Sequence, residues 1–456
     1  MFKIGLPRFA RSGFLCLALS ALLVAGCGGG GGGSSSGGGG GGGGSNTQTG
    51  ITKLNDVIGS TGAVDTSTLN SALADFLTAT AADPNNAEAN TGYAFVQSAV
   101  GIQNLIDLFG TSLDRSSNER RPWLLRAANL AFLTNIRGVA KGPEPLVPTP
   151  AEILRPYESA VSPASRAFPD DPTPAQVQSA LTDLADDLGA ALAALERAAV
   201  SDEDPLILVA PPELEGATNI KIGTAEVEAF AAAVRVLRAA ALIGSSYDAT
   251  LGGFDWEANL SELMPNSGEI YGPRSYLPDD PFFTLRAGGA TAMQQAHGEL
   301  VASMEDYQDM LDALEARTDE DFLIESSALE EDFSYDELRT QAQDLITYIT
   351  EPYETEIYGS SGSSANVTVD LAAFFADPPA DLSAFLPSVE TLVQDDDASS
   401  TIFFIDYMSI EDKSFGGLFV DPLPDDLFGF EEIEDQEVGR ALADFWSSFL
   451  SNNDIS

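Results

Sequence analysis

The chain has 456 residues, 44% of them hydrophobic, and sets 70 acidic against 22 basic residues for a formal charge of −48. So steep an acidic excess excludes a nucleic-acid partner, because affinity for phosphate backbones is supplied by Lys and Arg, and the hydrophobic share excludes a wholly disordered chain. With two cysteines, Cys16 and Cys27, and one histidine, His297, the usual thiolate and imidazole metal centres are excluded within one chain, and no metal or other cofactor is expected.

Residues 1–26 open with Lys3, Arg8 and Arg11, continue through the apolar run GFLCLALSALLVAG and end on the small residues Ala25 and Gly26, directly before Cys27. That three-part pattern is a secretion signal, and its apolar run is shorter than the ~20 residues a membrane-crossing helix needs. Its final residues with the cysteine, Val24-Ala25-Gly26-Cys27, resemble the lipobox of bacterial lipoproteins. The resemblance implies cleavage after Gly26, acylation of the Cys27 thiol and of the newly freed amine, and, with Gly28 where inner-membrane retention uses Asp, an outer-membrane destination. More than one acyl chain suits stable anchoring, since a single chain holds only marginally. Cys16 leaves with the signal, so the exported chain forms no internal disulfide and depends on packing. Its removal takes three of the 22 basic residues and none of the 70 acidic ones, leaving a charge of −51. Such acidity, with Lys at positions 3, 53, 141, 221 and 413 alone, suits either a saline medium that screens self-repulsion or solubility at a crowded surface. Residues 27–50 read as the lipidated cysteine and a flexible Gly/Ser tether, with a reach on the order of 25 Å from the ~5–6 Å × √n rule.

From residue 51 the apolar residues recur at three- and four-residue intervals, and the spacing predicts helices over 66–83, 86–110 and 121–138. A Pro-rich link, KGPEPLVPTP (141–150), precedes a long helix over 173–199, with Thr173 as N-cap and Pro174 in its first turn. The period then changes: DPLILVAPPELEGATNIKIG (204–223) predicts a short, hairpin-like strand pair. Helices follow over 224–248, 291–317 and 334–353, with irregular, aromatic-rich chain over 249–283. GSSGSS (359–364) reads as a spacer, followed by strand candidates ANVTVDL and TIFFIDYM and a closing helix over 435–450.

Ala72, Phe76, Ala79 and Pro84, with the junction DPNNAEA (83–89), resemble the second helix and terminal proline of a tetratricopeptide repeat. The following helix departs from that pattern at Tyr93, Ala94, Gln97 and Ile106, and no second match recurs at the repeat's 34-residue interval. The resemblance implies helix-hairpin packing and no repeat-built binding groove. The expected fold is therefore mainly α, an irregular helix-hairpin, tetratricopeptide-like assembly with a small α+β part at its C-terminal end. Its expected parts are a signal at 1–26, a tether at 27–50, a helical domain at 51–358 with a strand insertion near 204–223, and a mixed part at 365–456.

Catalytic sets are sparse. His297, in QQAHGEL on a predicted helix, reads as structural; no phosphate loop is present, and no G-x-S-x-G turn or dinucleotide fingerprint follows a strand, since the N-terminal glycine tract has no strand before it. The Pro-Asp-Asp loops at 168–174, 277–283 and 420–427 and the Asp run at 395–397 offer oxygen ligands for calcium, yet Asp and Pro gather at turns for local reasons and no ordered calcium loop is present. Aromatic residues in the long irregular segments, Trp256, Tyr271 and Tyr276 with Phe415, are the candidates for stacking on a ligand, against the plainer role of pinning loops to the core. The expectation is a non-enzymatic lipoprotein of the cell envelope, held to the membrane by its lipid anchor, that binds or scaffolds another envelope or extracellular component, with an envelope protein or a glycan as the possible partner. One alternative is a glycan-capturing outer-membrane lipoprotein. Another is a hydrolase working with two carboxylates.

Overall fold

A computed structural model of the chain describes residues 42–58, 66–116, 173–198, 202, 205–209, 219–248, 270–271, 283–318, 322–324, 334–358, 364–385, 387–397, 400–424, 427 and 433–434. The signal, Cys27, the predicted helix at 121–138, the Pro-rich link and the closing helix at 435–450 lie outside the described residues. Among the described residues, eight helices and a few short strands make the fold mainly α with a small α+β part. None of the described helices is long and apolar enough to cross a membrane.

The first helix corrects the tether. Helix α1 (Gly42–Ile58) starts well inside the stretch read as a leash. Its Ile51, Leu54 and Val57 are buried at three-residue spacing against α2 (Thr66–Ala82), and that burial outweighs the poor helix propensity of its Gly and Ser residues. Gly50 is a packing residue. A Cβ there would lie 2.9 Å from the Phe76 ring, and one at Gly92 on α3 (Ala87–Ser116) would lie 2.3 Å from it. Phe76, fully buried on α2, thus plugs the space between α1 and α3 because both flanking helices present a glycine. Ala72 and Ala79 are buried on the same stripe as Phe76.

The junction DPNNAEA does the work its composition predicts. Asn85 N–H donates to the Asp83 carboxylate at 3.2 Å, and Asn86 Oδ1 accepts from Ala89 N–H at 2.7 Å, capping α3. Buried Asn90 donates to the Pro84 and Asn86 carbonyls at 2.8 and 2.9 Å, fixing the angle between the two helices.

Helix α4 (Pro174–Leu195) is capped as expected, with Gln176 N–H donating to Thr173 Oγ1 and Thr173 N–H to Gln176 Oε1. It packs between α3 and α5 (Thr224–Ser246), whose Ala225, Ala231, Ala232, Ala233, Ala239 and Ala241 are buried and let neighbours approach closely. Helix α6 (Gly289–Ala316) packs along α5, and α7 (Tyr335–Thr350), with a capping box between Ser334 and Glu337, packs on α6. Each helix therefore rests on its neighbour in sequence. Before α5, β1 (Leu206–Val209) and β2 (Asn219–Ile222) form the expected antiparallel hairpin, with Leu206, Leu208 and Ile222 in the main core.

Two expectations about the C-terminal part change. GSSGSS is no domain boundary: β4 (Tyr353–Tyr358) and β5 (Ser364–Val369) pair antiparallel over six residues each, so residues 359–363 connect the two arms of one hairpin. The six-residue helix α8 (Leu371–Ala376), capped by Asp370, then places Phe375 in the same core cluster as Ile51 and Phe230, with Leu382 of the following 3-10 turn against it. A cut between 358 and 365 would sever this core, because apolar burial continues across it.

The second change concerns the Asp run. Asp395 and Asp397 lie in β6 (Pro387–Asp397), paired with β7 (Ser400–Ile410) around a bulge, so the run ends a strand. Two-residue strands β3 (Ile270–Tyr271) and β8 (Ile433–Glu434) flank that hairpin in the order β3-β6-β7-β8. Within the aromatic stretch read as irregular, Ile270 and Tyr271 thus join the C-terminal sheet.

Candidate functional site

Of the sequence-derived site residues, Gly26, Cys27, Trp256 and Tyr276 lie outside the described residues. Tyr271 stands opposite Val389 in the β3–β6 pair. His297 is half-buried on α6; its Nε2 lies 3.0 Å from the Ile349 carbonyl and its ring centroid 5.5 Å from that of Phe375, so it links α7 and α8 to α6. Phe415 is half-buried too, 5.2 Å from the Phe385 ring and 5.6 Å from Phe419. It sits at φ 51° ahead of Gly416 and Gly417 at φ 67° and 88°. This left-handed run is held by the Asp412 carboxylate, which accepts from the backbone N–H groups of Ser414 and Gly416, each at 2.9 Å. Although burial works against it, these hydrogen bonds bring the Asp412 pKa below its ordinary value.

The densest polar chemistry was not anticipated from sequence, and it is built on arginines. Arg317, at the C-terminal end of α6, has a side chain only 1% exposed. It makes paired hydrogen bonds to Glu226, at 2.8 and 2.9 Å, and to Asp202, at 2.8 and 3.0 Å. Its guanidinium lies 3.9 Å from the centroid of Phe322, whose other cationic neighbour is Lys221 at 5.2 Å. The two carboxylates also accept from the first N–H groups of α5: Glu226 from Gly223 and Asp202 from Thr224. They complement the positive helix end and the guanidinium together. Burial pulls the Arg317 pKa down, but the bonds to Asp202 and Glu226 outweigh it and the group remains charged.

A second cluster stitches α4, α5 and α6. Arg235 donates to Asp306 at 2.7 Å and to Glu299 at 3.0 Å; Arg238 donates to Glu299 and, at 3.0 Å, to the Ala185 carbonyl. A Cβ at Gly189 would lie 3.0 Å from the Arg238 guanidinium, so this glycine makes room for the crossing. Glu228 lies beside the cluster. Burial, joined by Asp306 and Asp309 and opposed by Arg235, pushes its carboxyl from 4.5 up to about 7. Burial likewise raises Asp306, against the lowering pull of Arg235. At the α3–α4 contact, burial raises Asp187 although Gln97 donates to it at 2.6 Å.

A raised pair such as Glu228 and Asp306 is what acid–base chemistry requires. A groove of about 370 Å³ between α6 and α7 is lined by Gln308, Asp312, Arg339, Thr340, Gln343 and Asp344, and neither raised acid reaches it. Arg339 there is flanked by Asp312, Glu315 and Asp336. Among the described residues no group of three or more His, Cys, Asp or Glu side chains is placed to hold a metal ion.

No protein-family model matches the chain, and neither the curated proteins nor the solved structures compared with it give a match.

Proposed function

We propose that the protein is a lipoprotein of a bacterial envelope, acylated at Cys27 after cleavage behind Gly26, whose acidic helical body binds or scaffolds another envelope protein. The observation that carries the reading is the charged start, short apolar run and Val24-Ala25-Gly26-Cys27 in that order. Against an anionic membrane a chain of this charge is repelled, so the acyl chains do the anchoring and leave the acidic faces for a partner. The test is metabolic labelling with a clickable fatty acid in a bacterial host, followed by membrane fractionation. Wild type is expected to carry label and sediment with membranes, while Cys27→Ala loses both. An unlabelled wild type, or a Cys27→Ala protein that stays in the membrane fraction, refutes it.

One observation favours glycan capture as a second reading. The α6–α7 groove offers carboxylates, amides and a hydroxyl suited to sugar hydroxyls. Glycan-array binding weakened by Gln343→Ala would support it, and binding weakened only by Trp256→Ala would move the site to the aromatic segment.

A further inference from the structure

Among the described residues, the β1–β2 hairpin has one bridged edge and one edge that is open at Ile207, and the two are told apart by the direction of single carbonyls. Lys221 of β2 accepts from Leu323 N–H at 3.1 Å and bridges to Phe322, so its peptide groups point away from β1. In an antiparallel pair, residues directly opposite point their N–H and C=O groups both inward or both outward. Ile207, the partner of Lys221, therefore directs its own N–H and C=O away from β2. Val209, two residues on, confirms the direction, because its N–H reaches outward to Asn55 Oδ1 of α1 at 2.9 Å. No hydrogen bond to either peptide group of Ile207 is found among the described residues.

The side chains follow the same alternation. Leu206 and Leu208 enter the core, whereas Ile207 is 52% and Val209 40% exposed on the outer face. A strand edge with no partner for Ile207 among the described residues, beside two exposed β-branched side chains, is the arrangement that accepts an added strand. Asn55 covers one end of it. Pro205, which has no N–H, begins the other.

Charge selects the occupant. In sequence the strand follows Glu203 and Asp204 and precedes Glu213 and Glu215, and no basic residue lies between Arg197 and Lys221. A second copy would bring the same acidic flanks against these in a chain of charge −48. We propose that the outer edge of β1 takes up an extended segment of a partner protein with alternating apolar residues and Lys or Arg at its flanks. The segment hydrogen-bonds to Ile207 and lays its apolar side chains over Ile207 and Val209. This names a partner chemistry for the binding half of the proposed function and does not depend on acylation of Cys27.

The experiment uses the exported chain, residues 27–456 with Cys27→Ala, and fluorescence anisotropy. The probe is a labelled peptide of alternating Val and Thr flanked by lysines, compared with the same peptide flanked by glutamates. The lysine peptide is expected to bind at least tenfold more tightly than the glutamate peptide, and more weakly as salt is raised. Ile207→Pro removes an N–H that faces outward and leaves the bonds to β2 in place, so binding is expected to fall at least tenfold with an unchanged helical circular dichroism signal. Should that variant not fold, Ile207→Lys retains the strand's N–H groups, and the same fall is expected from its charge against the probe. Equal affinity for both peptides, or undiminished binding by the folded Ile207 variant, overturns the proposal. So does a dimer in sedimentation that the Ile207 variant abolishes, since the occupant would then be a second copy.

Discussion

Replacing Glu228 by Gln is expected to stabilise the protein in mildly alkaline solution and to leave it unchanged in acid. Glu228 lies on α5 beside Asp306 and Asp309 of α6, and burial together with those two charges lifts its carboxyl from 4.5 to about 7. A carboxyl with a raised folded-state pKa holds its proton more tightly in the native chain than in the unfolded one. Its contribution is therefore complete below pH 4.5, falls as the pH climbs through about 7, and is level above that. At about 1.36 kcal/mol per pH unit, the rise from 4.5 to about 7 corresponds to about 3 kcal/mol. Glu228 keeps partial contact with water, and screening there reduces the effect to roughly 1–2 kcal/mol. Urea denaturation of wild type and Glu228→Gln between about pH 4 and 8 measures it. The two curves should coincide in acid and part by roughly 1–2 kcal/mol by pH 8, the variant being the more stable. The raised acids Asp187 and Asp306 act in both proteins and largely cancel in the difference. Parallel curves at every pH, or a variant less stable at pH 8, would refute the reasoning, because Glu228 would then be solvated and clear of the two aspartates.

Gly92→Ala drives a methyl to within 2.3 Å of the Phe76 ring and is expected to cost about 1–3 kcal/mol of stability by overpacking. In a Phe76→Leu background the cost should shrink, and a double-mutant cycle read by urea denaturation checks that coupling. Arg317→Met leaves Glu226 buried opposite no cation and is expected to cost about 3–5 kcal/mol, part of which Glu226→Gln recovers in the double variant. Raising NaCl should raise the thermal midpoint, because the screening length drops from about 10 Å at 0.1 M to about 3 Å at 1 M. Surface repulsion is relieved over that range while the enclosed Arg317 and Arg235 pairs are little affected. A falling midpoint would mean that exposed ion pairs carry the fold.

What the sequence made legible followed from local rules. The described helices from 66 onward obey a 3.6-residue period, Thr173 announces its helix start, and DPNNAEA announces a turn. The hairpin at 206–222 was equally local, because β-branched runs around Pro and Gly have few other uses. Misreadings clustered at glycine and serine. A run of them encodes freedom only where nothing packs against it. Gly50 is needed because Phe76, 26 residues further on, requires the space, and GSSGSS joins strands whose pairing no local rule reveals. Both facts are long-range, and composition carries no long-range information.

The same limit hid the arginine clusters, although their scarcity held a usable signal. A chain with 70 acidic and 22 basic residues has carboxylates to spare, so the position of one acid predicts little while that of one base predicts much. Arg235 and Arg238 interrupt the alanine-rich face of a helix, where a cation is tolerated only if an acid meets it. Arg317 ends a helix whose next apolar residue, Phe322, covers it. Lys53, Arg235, Arg238 and Arg317 are engaged between elements, which leaves much of the excess acid facing outward. The division is physical: enclosed pairs gain from a low dielectric, and outward carboxylates gain from water. A partner that approaches this body therefore meets carboxylates first. That is why an uncharged stretch such as β1, bracketed in sequence by acid and exposing Ile207 and Val209, favours a basic-flanked segment over a second acidic copy of the same chain.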